Sequence, residues 1–141
     1  MSIGVGLGRG GGVNPGSLFE RVGGQPFFDR LVGRFYDGVG ADPVLRPLYP
    51  TDAGEYEASQ RWLALFFGQY WGGPQAYSEE RGHPRLRMRH AAFVVGEAQR
   101  DAWLRHMVTA IDTAGAEGLD PADAGQLVAY VTSAAEFLRN D

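Results

Sequence analysis

Hydrophobic residues recur with helical spacing along most of the chain after residue 17. The clearest stripe runs from Phe28 to Val39, where apolar side chains fall on one face of a helix with about 3.6 residues per turn. Pro26 suits the first turn of this helix. A comparable spacing over residues 55–71 predicts another helix, which Gly72-Gly73-Pro74 ends because proline cannot continue the hydrogen-bond ladder.

The remaining segments also favour helices. Ser17 is a suitable N-cap for a short helix that ends at the Gly23-Gly24 pair, and Asp42-Pro43 can begin another that stops near Pro47. Residues 97–114 and a segment opened by Asp120-Pro121 complete the pattern. The connection over residues 74–84 is long and polar, which is typical of a functional loop. With no convincing strand, the sequence predicts an all-α fold with four principal helices and several short ones.

The first sixteen residues differ from the rest because seven of them are glycine. They contain a GxGxxG pattern, but a dinucleotide site needs a preceding strand and a following helix, and only five residues precede this match. We therefore predict a flexible tail over residues 1–16 and a single domain over 17–141.

Composition excludes several chemistries. The 141-residue chain has no cysteine, so it offers neither disulfides nor thiolate ligands, and all 13 of its basic residues are arginine, so no lysine chemistry is available. A net charge of −4 argues against binding nucleic acid or an anionic membrane. No apolar run is long enough for membrane insertion and no secretory signal is visible, so we expect a cytoplasmic protein.

One histidine occupies an apolar helical face. Leu86, His90 and Phe93 stand at i, i+4 and i+7, so they share one side of a helix. An imidazole there is either hydrogen-bonded within the core or bound to a metal, as haem iron is bound by a proximal histidine. The chain has no HExxH, EF-hand or Glu-x-x-His motif, so haem fits better than a metal site built from protein ligands alone.

Haem makes two further demands that the sequence can meet. Tyr36 and Trp103 lie on apolar helical faces and carry hydrogen-bond donors for a small ligand, although each, taken separately, is more often an ordinary core aromatic. Four arginines between residues 81 and 89 could pair with haem carboxylates. The alternatives for this cluster are a solvated basic loop or a small RNA- or phosphate-contacting patch.

Several longer motifs occur in order: VGG at 22–24, RFY at 34–36, DPVLRPLYP at 42–50, QYWGGP at 69–74, YSE at 77–79, RGHPRLRMRH at 81–90 and RDAWL at 100–104. In these motifs the chain from residue 17 onward closely resembles the group II truncated haemoglobins, particularly those of actinobacteria. The resemblance implies a truncated globin fold, a two-over-two helical sandwich around one haem b, with His90 as the proximal ligand.

The resemblance also implies roles for other residues. Tyr36, Tyr49 and Trp103 would hydrogen-bond a small ligand or one another on the distal side. Tyr77 and Arg89 would contact the haem propionates. The haem pocket would be lined by Leu63, Phe66, Leu86, Phe93 and Met107.

Two positions at the distal entrance depart from the family. Trp62 stands where members usually have an arginine near the haem edge. The propionate contact of that arginine would then have to come from another side chain, and Arg61, Tyr77 and Arg89 are the candidates. Ser59 stands where relatives often have alanine, and its hydroxyl could hold water or admit polar ligands; alternatively, it is simply tolerated.

The function implied is binding of oxygen, and of NO, CO or peroxide, at ferrous haem iron. The rich donor set favours oxygen retention over rapid oxygen transport, and turnover such as nitric oxide dioxygenation or peroxidase activity would need an unknown reductase or co-substrate. The sequence is also compatible with a homodimer. The alternative is a haem-based sensor, or a helical protein-interaction module without turnover in which the Gly-rich tail is a tether.

Overall fold

The computed structural model describes residues 12–81 and 94–140, and all regular structure in these ranges is helical. This confirms the predicted all-α class. A 3-10 helix spans Arg46–Leu48. The described ranges contain six α-helices, which are α1 Leu18–Arg21, α2 Gln25–Gly40, α3 Ala53–Tyr70, α4 Ala76–Arg81, α5 Glu97–Ala116 and α6 Pro121–Leu138.

Side-chain caps and glycines set the helix ends, largely as the sequence predicts. Ser17 accepts a hydrogen bond from the Glu20 amide, and Asp120 accepts one from the Ala122 amide. Gly23 and Gly72 both have positive φ angles, of 99° and 109°, in the conformation that ends a helix and that glycine tolerates best. These contacts confirm the predicted ends of α1 and α3 and the start of α6.

Two connections differ from the expectation. The short helix expected between Asp42 and Pro47 is instead a turn followed by the 3-10 helix, because the Asp42 side chain caps the Val44 amide before regular structure begins. The connection expected to be a loop contains helix α4. Ser78 holds α4 against α3: its amide donates to Gln69 Oε1 at 2.9 Å, and the Gln69 amide donates to the Ser78 hydroxyl at 2.7 Å.

Helix α2 is central to the packing. It lies against α3 on one side and α5 on the other, while α5 also packs against α6. Its apolar stripe is buried, with Phe28, Leu31, Val32, Phe35 and Val39 at most 1% exposed. This arrangement leaves α2, α3, α5 and α6 around one internal space. Within the described residues, no helix combines the length and apolarity needed to cross a membrane.

Candidate functional site

A cavity of about 420 Å³ lies between the main helices. Its walls come from α2, the segment before α3, and helices α3 to α6, and most of the lining side chains are apolar or aromatic. This volume and character are typical of a small-molecule or cofactor site. The lining residues are Tyr36, Leu48, Tyr49, Pro50, Glu55, Ala58, Ser59, Trp62, Leu63, Phe66, Phe67, Tyr77, Arg81, Trp103, Tyr130, Ala134 and Leu138.

Three aromatic side chains with polar groups meet at this cavity from three different elements. Tyr36 comes from α2, Tyr49 follows the 3-10 helix, and Trp103 comes from α5. The rings of Tyr36 and Tyr49 are 5.4 Å apart and nearly perpendicular, as aromatic pairs prefer. Residues far apart in sequence thus bring two hydroxyls and an indole N–H to one apolar space.

A hydrogen-bond network holds these rings in place. The hydroxyls of Tyr36 and Ser59 are 2.5 Å apart, and either can donate. The Tyr56 hydroxyl donates to the backbone carbonyl of Tyr36 at 2.7 Å, and the Arg46 guanidinium lies over the Tyr56 ring at 4.3 Å. The position of Tyr36 is therefore fixed by both its backbone and its hydroxyl.

Burial keeps the cavity tyrosines protonated. It is the main cause that raises the pKa of Tyr36 and of Tyr49 well above the ordinary tyrosine value. A hydrogen bond from Trp103 acts in the opposite direction on the pKa of Tyr49, but burial dominates. Both phenols consequently keep an O–H for donation at neutral pH.

Two arginines lie against Trp62 at the edge of the cavity. The guanidinium carbons of Arg61 and Arg81 lie 4.6 Å and 4.9 Å from the Trp62 ring centre. Arg61 also donates to both carboxylate oxygens of Glu80, at 2.9 and 3.0 Å. Trp62 thus organises two cations at the cavity edge, one of which, Arg81, lines the cavity.

The other predicted pocket residues fall in two groups. Leu63, Phe66 and Tyr77 line the cavity, and Tyr77 is 2% exposed with its ring 5.6 Å from that of Phe66. Met107 is fully buried in the core and is not among the lining residues.

The predicted proximal side lies outside the described residues. This applies to His90, Leu86, Phe93 and Arg89. Their roles stay predictions. Most of the predicted tail is also outside the described residues; within residues 12–16, the Asn14 amide donates to the Gly72 carbonyl at 2.8 Å.

Sequence reasoning missed one wall of the cavity. Tyr130, Ala134 and Leu138 of α6 line it, and so do Leu48, the last residue of the 3-10 helix, and Pro50 just after it. The apolar stripe of α6 was visible in the sequence. Periodicity alone, however, does not tell a face that packs in the core from one that borders a cavity.

Comparison with known proteins agrees with this geometry. Residues 17–137 match the model of the family described as bacterial-like globin. The group 2 truncated hemoglobin YjbI of Bacillus subtilis is 42% identical over 100 residues, which cover 71% of this chain and 73% of that protein.

Solved structures show the same relationship. The thermostable hemoglobin of the actinobacterium Thermobifida fusca is 48% identical, with a TM-score of 0.80 over 88% of this chain and 97% of that one. The hemoglobin of Chloroflexus aurantiacus is 44% identical, with a TM-score of 0.82 over 89% and 98%. The chain belongs to the bacterial-like globin family, among the group 2 truncated haemoglobins. Family membership carries haem-based binding of small ligands.

Proposed function

We propose that the chain binds one haem b in this cavity, with the His90 imidazole as the ligand to its iron. The observation that carries the proposal is the convergence of Tyr36, Tyr49 and Trp103 on one apolar space of cofactor size. Haem, when bound, would supply ferrous iron as the binding group for O₂, NO, CO or peroxide. The apolar walls, including Leu63 and Phe66, would keep water away from the bound ligand.

The polar trio would hold the ligand by hydrogen bonding. Each neutral donor that reaches a bound ligand adds about 1 kcal/mol, and donors fixed before binding act most strongly because they need no reorganisation. The Tyr56 hydroxyl fixes the backbone of Tyr36, and Tyr49 is held by ring packing against Tyr36 and Tyr56. Such a site favours slow release of oxygen, which suits oxygen retention or chemistry on bound oxygen better than rapid delivery.

An arginine at the edge of the cavity could bind a haem propionate. Arg81 lines the cavity, whereas Arg61 is not among its lining residues. We therefore add Arg81 to Tyr77 and Arg89 as side chains that would bind a propionate, because arginine pairs with carboxylates through two parallel hydrogen bonds. Arg81 would then supply the propionate contact that Trp62 cannot make.

Reconstitution with haem tests the proposal. The wild-type protein should take up one equivalent of haem with an intense Soret band. His90→Ala should lose the band and regain it with added imidazole, whereas His106→Ala, the same change at a histidine that does not line the cavity, should keep it. If wild type and His90→Ala take up haem with the same spectrum, His90 is not the ligand; if neither takes it up, the interaction-module alternative is favoured.

A further inference from the structure

Outside the cavity, Asp42 is a nearly buried carboxylate with hydrogen-bond partners in two elements. It is only 8% exposed and lies just after helix α2. A buried carboxylate is costly unless charged or hydrogen-bonding partners surround it. Asp42 has partners on both sides, one set in its own segment and the other on α5.

Toward its own segment, Asp42 organises the chain that leads to Tyr49. Its Oδ1 accepts from the Val44 amide at 2.8 Å, and its carbonyl accepts from the Arg46 amide at 2.8 Å. The 3-10 helix follows directly, and its last turn closes when the Tyr49 amide donates to the Arg46 carbonyl at 3.1 Å. The Arg46 guanidinium in turn donates to the Tyr49 carbonyl. These hydrogen bonds together fix the backbone between Asp42 and Tyr49.

Toward α5, the carboxylate is held by His106. The Asp42 Oδ2 and His106 Nε2 atoms are 2.7 Å apart. His106 lies three residues after Trp103, so the two side chains project from the same side of α5. Arg105 also reaches Oδ2, at 3.1 Å, but its side chain is 62% exposed and an exposed ion pair contributes little.

Helix α2 leaves room for this imidazole at a glycine. A Cβ atom added to Gly38 would lie 2.5 Å from Nδ1 of His106, closer than real contacts allow. Gly38 is two residues after Tyr36. One contact, Asp42 to His106, thus joins the three elements that carry Tyr36, Tyr49 and Trp103.

We propose that His106 is a positioning residue for the ligand site: through Asp42 it fixes the segment that carries Tyr49 against α5, so that Tyr49 and Trp103 face the same ligand. The proposal rests on the function proposed above. His106 does not line the cavity and acts only through Asp42. Groups that hold the primary contacts of a site in this way commonly change its affinity several-fold when removed.

The first test removes or replaces the imidazole in the ferrous holoprotein. His106→Ala should speed oxygen dissociation by about threefold to tenfold, because Tyr49 loses its fixed position. His106→Gln keeps a side-chain N–H for Asp42 and should restore the rate to within about twofold of wild type. The C–O stretching frequency of the CO complex, which reports the polar field at the ligand, should shift in His106→Ala and return in His106→Gln.

The second test displaces the imidazole without removing it. Gly38→Ala should speed oxygen dissociation in the wild-type background and have no further effect in His106→Ala, where the added methyl group meets no ring. Gly115→Ala is the matched control, since it adds the same methyl group to α5 with nothing within 4 Å. It should leave the dissociation rate and the C–O frequency unchanged.

The outcomes separate this proposal from the one on which it rests. If His106→Ala lowers the melting temperature but leaves the rate and the C–O frequency at wild-type values, while Trp103→Phe changes both, His106 is merely structural and the positioning role is wrong. If Trp103→Phe changes neither, the Trp103 indole does not reach the ligand, and the positioning role falls while haem binding through His90 still stands on its own test. Additive effects of Gly38→Ala and His106→Ala would also overturn the positioning role.

Discussion

The molecule contains two aromatic clusters of similar composition that are built in different ways. The distal cluster consists of Tyr36, Tyr49, Tyr56 and Trp103. The outer cluster consists of Phe67, Tyr70, Trp71 and Tyr130, of which Phe67 and Tyr130 also border the cavity. In the distal cluster, polar groups are tied to partners such as Ser59 and the Tyr36 carbonyl. The rings stand nearly edge to face, and Tyr36, Tyr49 and Trp103 line the cavity.

The outer cluster is held mainly by ring packing. The rings of Tyr70 and Tyr130 are 4.3 Å apart, and Trp71 lies 5.2 Å from Tyr70. Tyr70 is 53% exposed, and the buried indole nitrogen of Trp71 has no hydrogen-bond partner within the described part of the chain. Residue type alone therefore does not identify a ligand site. Donors held in place at a cavity identify one.

The same substitution in the two clusters should have the largest and most contrasting effect. Trp103→Phe removes a donor at the cavity and should speed oxygen dissociation about tenfold or more, equivalent to ~1.4 kcal/mol. Trp71→Phe removes an unpaired N–H and should leave the rate unchanged, with stability altered by no more than about 1 kcal/mol, because lost packing is offset by relief of an unsatisfied group. Stopped-flow kinetics and urea titration measure both. Equal rates in the two variants would remove the distinction between the clusters.

A smaller effect should follow from freeing the Tyr36 hydroxyl. Tyr36 has one O–H, and a bond to Ser59 keeps that hydrogen from the ligand whenever Tyr36 is the donor. Ser59→Ala should then slow oxygen dissociation by roughly two- to tenfold, the worth of one hydrogen bond. Tyr36→Phe should speed it. Faster dissociation in Ser59→Ala would instead mean that Ser59 donates to Tyr36 and fixes it.

The smallest predicted effect is on the free energy of unfolding at acid pH. The hydrogen bond from His106 holds the pKa of Asp42 below its usual value of 3.8. A carboxylate with a lowered pKa stabilises the fold above its ordinary pKa and loses that contribution as pH falls through the lowered value. Asp42→Asn should therefore show a weaker loss of unfolding free energy than wild type between about pH 5 and pH 3. Parallel acid curves for the two proteins would rule out this contribution.

Local patterns were sufficient to predict most of the fold. The apolar stripe of α2, the Ser17 and Asp120 caps and the glycines after α3 act within a few residues, so they can be read from the sequence. Helix α4 could not be predicted in this way, because its place depends on the Gln69–Ser78 contact with α3. The resemblance to truncated haemoglobins, rather than periodicity, pointed to Tyr49.

The site was predictable only in part for a related reason. Tyr36, Ser59, Trp62, Leu63 and Trp103 were singled out from the sequence and all line one cavity. The Asp42–His106 contact joins residues 64 positions apart, and no local pattern marks such a pair. The apolar stripe of α6 was visible in the sequence. Its position beside the cavity was not, because that position depends on how α6 packs against α5.

Infrared spectroscopy of the ferrous CO complex is the most direct test of the claim that the distal cluster faces a bound ligand. Hydrogen-bond donors near the oxygen of CO lower its stretching frequency. The frequency should rise in Trp103→Phe and stay at the wild-type value in Trp71→Phe. An unchanged frequency in Trp103→Phe would contradict the account, because no donor from that indole would then reach the ligand.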